Sequence, residues 1–273
     1  MKVVVCALMV LSVAEALNIA AFNIKRLSEN TLNSHAGRLQ SLVTILRRYD
    51  IISVEEVMDA YGLADVVKSM NSHGGGPYAM IKSAKTGRTS YKEYYAFVYR
   101  TDRVQVRGSY QYHDVHDWFE REPFSALFHA PSSQLSDFVI AACHLKPDQA
   151  KPEIGHLVDV YTDISNHYNN KNVMFDGDFN ADCSYLSTSA LLQSPLYQDH
   201  RFQWLLSSSV DTTASHHTNC AYDRFVVAGA EFQAAVVPGS ATVYNFETAL
   251  HLTFTQAYSV SDHYPIEMKL KSA

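Results

Sequence analysis

Short runs of β-branched and aromatic residues, separated by longer stretches with apolar residues at helical spacing, constrain this chain more than any other feature. Leu17–Phe22, Asp50–Val54, Tyr94–Tyr99, Val104–Arg107, Phe138–Leu145, Asn172–Phe175, Arg224–Ala228 and Ile266–Leu270 read as strands. Gly37–Arg48 places Leu39, Leu42, Ile45 and Leu46 on one helical face. Leu63–Met70 has similar spacing, and Glu153–His167 carries a stripe of Ile154, Leu157, Val158 and Tyr161. Such stripes are core, not binding faces. Gly74–Pro77 reads as a loop and Ser187–Gln203 as a polar, irregular insertion. Strands mixed with helices in both halves, and no repeat or linker, predict one domain over residues 17–273. Two sheets packed face to face with helices outside fit that pattern.

The start of the chain bears on compartment. Met1-Lys2 is basic, Val3–Val13 is apolar, and Ala14-Glu15-Ala16 supplies small residues for cleavage. Residues 1–16 therefore read as a secretory signal peptide cut after Ala16, and the protein is expected outside the cell. The apolar run is too short for a bilayer core needing roughly 20 residues, so no membrane association is expected. Cys6 leaves with the leader. Cys143, inside FVIAACHL, reads as a buried thiol. Cys183 and Cys220 lie in polar, turn-rich sequence and are the expected disulfide. The net charge of −6 argues against a general polyanion binder. An acidic chain that works on a polyanion needs a local basic strip or metal ions.

Polar residues recur at the ends of strands that should otherwise be buried. Asn23, Glu56, Glu93, His144, Asp178, Asn180, Asp223, Asp262 and His263 all fall there. Open sheets place ligand sites at strand ends. Converging, these side chains would offer carboxylates and amides to a hard cation, and two imidazoles for proton transfer. A single Asp after a strand is usually a cap or turn residue, and a single His there is usually structural. The joint pattern, not any one member, carries the functional reading.

The motifs sharpen it. AAFNI around Asn23, EEV with Glu56, SYKEYY with Tyr91 and Glu93, Arg121-Glu122-Pro123, GDFNADCSY from Gly177 to Tyr185, FQW, DTTA from Asp211, TNCAYDR ending at Arg224 and SDHYP from Ser261 follow one another in this order. Together they resemble the deoxyribonuclease I family, over the whole chain beyond the leader. GDFN with SDHYP alone would indicate only the wider endonuclease/exonuclease/phosphatase superfamily. The resemblance implies an α/β fold of two mixed sheets with helices on the outer faces, a four-layer αββα sandwich. It implies hydrolysis of double-stranded DNA with low sequence specificity, leaving 5′-phosphate and 3′-hydroxyl ends. Glu56 then corresponds to the principal ligand for Mg2+ (or Mn2+), with Asp178, Asn180, Asn23 and Asp262 around metal and phosphate. His144 is expected to pair with Glu93 as general acid, and His263 with Asp223 as general base. Asp211, Thr213 and Thr218 resemble a structural Ca2+ loop, with an extra residue in Ser215-His216-His217. Tyr91, Arg121, Lys25 and Tyr185 are the expected DNA contacts.

The chain also departs from that family. Met58 stands where the family usually has an Arg that enters the minor groove. Asp176 stands where an apolar residue is expected, and strand alternation should turn it to the same side as Asp178. The cysteine-bridged loop is replaced by His113–Phe119, which puts a second calcium site there in doubt. Met80, Lys82 and Phe124 do not match the actin-binding surface of some relatives, so actin binding is not expected. The protein is expected to be a monomer. Two alternatives stay open at this level: a superfamily phosphatase for a lipid or inositol phosphate, and a catalytically silent secreted binding protein.

Overall fold

A computed structural model describes residues 15–72, 74 and 76–273. The expected leader lies outside the described residues, apart from Glu15 and Ala16. Two six-stranded sheets face each other. The first is built from β1 (Leu17–Leu27), β2 (Ile51–Val57), β3 (Tyr78–Lys82), β4 (Tyr94–Arg100), β11 (Thr242–Val243) and β12 (Ile266–Leu270), in the order β11-β12-β1-β2-β4-β3. The second contains β5 (Gln105–Gln111), β6 (Phe124–His129), β7 (Asp137–Ala142), β8 (Val173–Asp178), β9 (Phe202–Trp204) and β10 (Asp223–Ala228), in the order β5-β6-β7-β8-β10-β9.

Each sheet is mixed for a simple reason. A parallel pair needs a long crossover, and each sheet contains one. β1 reaches β2 through α1 (Glu29–Ser34) and α2 (Arg38–Leu46), while β7 reaches β8 through α4 (Ala150–Tyr168). The remaining pairs are antiparallel.

Alternation divides the apolar side chains into three layers. Leu17, Ile19 and Ala21 of β1 point between the sheets, meeting Phe97, Phe128, Met174 and Phe225. Ala20, Phe22 and Ile24 point outward beneath α2 and α3 (Gly62–Ser72). On the far side Val139, Phe175 and Val226 pack under Ile154, Leu157 and Tyr161 of α4. The rings of Phe97 and Phe128 meet edge to face at 5.4 Å across the central layer. Full burial of each such ring is worth roughly 1.5–3 kcal/mol. This is the expected αββα arrangement.

Sequence pattern located the longer strands but not β3, β6, β9 or β11. β9 and β11 are too short to show a period, and β3 and β6 carry no uninterrupted β-branched run. Ser187–Gln203 is more ordered than expected. It holds α5 (Thr188–Leu192), capped by Ser187, α6 (Pro195–Gln198), capped by Ser194, and the start of β9. Local side-chain caps win there over the lack of hydrophobic period. Three more short helices, α7 (Ala230–Ala235), α8 (Phe246–Ala249) and α9 (Phe254–Val260), complete the chain. Among the described residues no helix is long and apolar enough to cross a membrane.

Candidate active site

At one end of the central layer the inward side chains stop being apolar. Asn23 continues the inward row of β1, Ser53 and Glu55 that of β2, and Asp176 and Asp178 that of β8. Just there β1 and β2 lose register: Asn23 pairs with Glu55, but the next pair is Leu27 with Val57. Two extra residues on β1 are absorbed by a bulge in which Lys25 (φ 52°) and Arg26 (φ 48°) are left-handed, opposite a left-handed Glu56 (φ 58°). Each such non-glycine residue costs roughly 1–2 kcal/mol. The bulge directs the Lys25 N–H to Asn23 Oδ1 at 3.1 Å and the Arg26 N–H to Glu56 Oε2 at 2.9 Å. The Asn23 amide nitrogen then lies 3.2 Å from Glu56 Oε1 and 3.3 Å from Asp178 Oδ2.

Two histidine–carboxylate pairs flank this group. His144 follows β7, and its Nδ1 lies 2.8 Å from Glu93 Oε1. His263 follows α9, and its Nδ1 lies 2.8 Å from Asp223 Oδ2. Asp223 is itself paired with Asp178 in the β8–β10 ladder. Both Nε2 atoms reach the same oxygen, Asp178 Oδ2, at 3.6 Å each. Burial and Arg121 press the His144 pKa down, but Glu93 and Asp178 raise it and the net shift is upward. Burial would raise Glu93, yet His144 and then Arg121 hold it below its ordinary value. Burial likewise opposes charge on His263, but Asp223 and Asp178 raise its pKa to about 10.

The donor set suits a hard divalent cation, which favours oxygen ligands. Among the described residues, Asp178, Asp223 and His263 form a group whose donor atoms lie within 4.8 Å of one another. His263 is the weak member. Its Nδ1 is engaged with Asp223 at 2.8 Å, which leaves only Nε2, on the side of Asp178. The oxygens of Glu56 and Asp178, joined through Asn23, fit better. Asp262 is close enough to act electrostatically on Lys25, Arg38 and His263. Asn180 is buried behind this group, donating from Nδ2 to Leu145 O at 2.8 Å and from its N–H to Asp178 Oδ1 at 2.9 Å. It holds Asp178 in place, and its side-chain nitrogen is already committed.

The other expected residues are distributed around the cleft. Tyr91 is half-buried with Arg26 over its ring at 5.4 Å. Its phenol is held above the ordinary range by burial, then by Glu56 and Glu93. Tyr185 is 45 % exposed and packs beside Tyr222. Lys25 is tied to α9, with Nζ donating to Tyr258 O at 2.9 Å. Arg121 differs from what a surface DNA contact would be. It is 6 % exposed and stands behind Glu93, with Nε donating to His144 O at 2.9 Å. Lys82, Lys85, Arg88 and Lys92, on the strand edge and loop around Tyr91, are exposed, with Arg88 paired to Asp117.

Cys183 and Cys220 form the expected disulfide, tying the segment after Asp178 to the one before Asp223. Cys143 is a free, buried thiol, as expected. In the neighbouring loop Asp211 Oδ1 accepts from the N–H and hydroxyl of Thr213, and Thr213 Oγ1 lies 2.9 Å from Thr218 Oγ1. His216 turns away to Glu247, at 3.1 Å. In the His113–Phe119 segment, Asp117 pairs with the Arg88 guanidinium.

Several functional neighbours were not found from sequence. Tyr95 Oη accepts the His144 N–H at 2.9 Å. Glu55 is completely buried, and neither carboxyl oxygen has a hydrogen-bond partner. Strand period could have revealed it, since it shares the inward side with Ile51 and Ser53. Asp176 faces inward as expected and accepts from Ser53 Oγ at 2.6 Å. Burial, then mutual repulsion with Asp176, lifts Glu55 well above the ordinary carboxyl range, and burial does the same for Asp176. A concavity of about 850 Å³ lies elsewhere. It adjoins Asn172 and Gly229, at the opposite ends of β8 and β10 from Asp178 and Asp223.

A paired-sheet scaffold with two imidazoles and a carboxylate–amide cluster between its layers defines a class of phosphoester-cleaving proteins. The chain belongs to the Endonuclease/Exonuclease/phosphatase family, whose sequence profile matches residues 18–263. Within it, the chain is similar to Deoxyribonuclease-1 of Gallus gallus, 42 % identical over 97 % of this chain and 96 % of the relative. It is 42 % identical to Deoxyribonuclease-1 of Bos taurus (93 % and 92 % covered) and 40 % identical to Deoxyribonuclease gamma of Homo sapiens (95 % and 88 % covered). Among solved structures, that of D. rerio TDP2 complexed with single strand DNA product superposes with a TM-score of 0.65 at 16 % identity, covering 93 % of this chain and 98 % of that one. That likeness speaks to the fold alone.

Proposed function

We propose that this chain, a deoxyribonuclease, hydrolyses internal phosphodiesters of double-stranded DNA with little sequence specificity, leaving 5′-phosphate and 3′-hydroxyl ends. The observation that carries this reading is the approach of two carboxylate-oriented imidazoles to one oxygen, Asp178 Oδ2, beside Asn23 and Glu56. Glu56, Asp178, Asn23 and Asp262 would hold Mg2+ or Mn2+, with Asn180 bracing Asp178. The ion, when bound, offsets negative charge on the phosphoryl oxygens as the transition state forms.

The chain's own residues supply the proton transfers. His263 Nε2, oriented by Asp223, takes a proton from the attacking water as its oxygen bonds to phosphorus. His144 Nε2, oriented by Glu93, gives a proton to the 3′-oxygen as the P–O3′ bond breaks. Arg121 and Tyr95 hold His144 from behind. Tyr91, Lys25 and Tyr185, with the basic residues beside Tyr91, would meet the sugar-phosphate backbone, and Arg121 acts there only through Glu93 and His144. Asp211, Thr213 and Thr218 would hold a structural Ca2+. The protein acts as a monomer outside the cell, without actin as a partner.

Supercoiled-plasmid nicking by purified protein tests the function. Cleavage with magnesium and calcium, abolished by EDTA and by His144→Ala or His263→Ala, is expected. Release of inorganic phosphate from a phosphoinositide assayed in parallel, without nicking, would overturn it.

A further inference from the structure

The bulge that aims Asn23 and Glu56 is built from residues that do not favour it. Lys25, Arg26 and Glu56 are all left-handed, none is glycine, and their surroundings must hold them so. The bulge also turns the carbonyls of Ile24 and Lys25 out of the strand ladder. Arg38, the first residue of α2, answers both: its Nη2 donates to Ile24 O at 2.8 Å and to Lys25 O at 2.7 Å. The side chain is 2 % exposed, its Nε has no acceptor, and no carboxylate forms an ion pair with it among the described residues.

A buried cation without an anionic partner is a costly way to satisfy two carbonyls. What it secures lies across the same two peptide units. The Ile24 carbonyl shares a planar peptide with the Lys25 N–H, which donates to Asn23 Oδ1. The Lys25 carbonyl shares one with the Arg26 N–H, which donates to Glu56 Oε2. One guanidinium nitrogen therefore fixes two rigid planes whose opposite edges hold the amide and the carboxylate.

We propose that Arg38 is a positioning residue for the cation site, bracketing the β1 bulge so that the Asn23 amide and the Glu56 carboxylate are held in register with Asp178. This rests on the reading of those residues as a metal centre. The bracket and its charge pull in opposite directions. As a charge near Glu56 and Asp262, Arg38 repels a bound cation. As a bracket it favours one.

Mn2+ binding by isothermal titration to the intact protein, in calcium buffer without DNA, separates the two. Arg38→Met should weaken Mn2+ binding about tenfold, the usual scale for loss of an outer-shell support. Arg38→Lys, which keeps a donor but not the planar fork, should weaken it less. At saturating Mn2+ the KM for DNA should be unchanged in both. Circular dichroism identifies which variant folds. Unchanged or tighter Mn2+ binding in either folded variant overturns the proposal. Glu56→Gln supplies the separating control. If it weakens Mn2+ binding while the Arg38 variants do not, the bracket fails and the metal centre stands. If it binds Mn2+ like the parent protein, the metal centre fails and the bracket with it.

Discussion

His144 and His263 approach one and the same atom: the Nε2 of each lies 3.6 Å from Oδ2 of Asp178. They come from loops far apart in sequence, and each is turned by its own buried acid. A phosphate bound against Asp178 would have one imidazole on either side. His144→Ala and His263→Ala should each lower plasmid nicking on the order of 10²–10⁴-fold while leaving the fold intact. The double variant should be little worse than the poorer single one, because the two act as a unit. Initial nicking rates at saturating metal measure this, and additive losses would count against a shared reaction path.

The buried acids Glu55 and Asp176 should make stability depend on pH. Both are held well above the ordinary carboxyl range, so the folded state keeps their protons longer than the unfolded state. Their contribution is complete below about pH 4 and is lost as pH rises toward their raised values. In EDTA, the melting temperature of the parent should fall from mildly acidic to alkaline pH. A Glu55→Gln/Asp176→Asn variant should show a flatter profile, and parallel curves would contradict the assignment.

Gly177 sits between Glu55 and Cys143 with φ of +114°. A Cβ there would collide with Glu55 Oε1 and with the Cys143 carbonyl oxygen, on a backbone that side chains rarely adopt. Gly177→Ala should cost at least about 3 kcal/mol, since neither strain nor overlap can relax cheaply. Urea denaturation gives the number. A loss below 1 kcal/mol, on the scale of an ordinary surface substitution, would disprove the steric account.

The Cys183–Cys220 bridge closes a separation of 37 residues. On the chain-entropy model this restrains the unfolded chain by about 4 kcal/mol. Reduction, or paired replacement by alanine, should lower stability on that scale. It should lower nicking too, because the bridge joins the segments carrying Asp178 and Asp223. Retention of full stability after verified reduction would exclude the effect.

Met58 extends β2 beyond Val57, its N–H bonded to Leu27 O at 2.8 Å. Met58→Arg adds a cation on the Glu56 side of the cleft. It should tighten DNA binding and steepen the salt dependence by about one unit of log–log slope. Fluorescence anisotropy at several salt concentrations would detect this, and an unchanged slope would place the residue off the DNA path.

Much of this protein was legible in the sequence. Period-two and helical spacing marked the longer strands and the main helices. The polar residues closing β1, β2, β8 and β10 marked one end of the sheets. The motif order then pointed to the family that the sequence profile and the relatives show. What sequence could not supply is the partnership across the gap. Asn23 meets Asp178 only because the two sheets stack, and no local pattern encodes which inward rows will face each other. The burial of Glu55, the withdrawal of Arg121 behind Glu93, and the grip of Arg38 on two peptides of β1 are contacts between separated segments. Their energies come from desolvation and hydrogen-bond geometry, which exist only once the layers have closed.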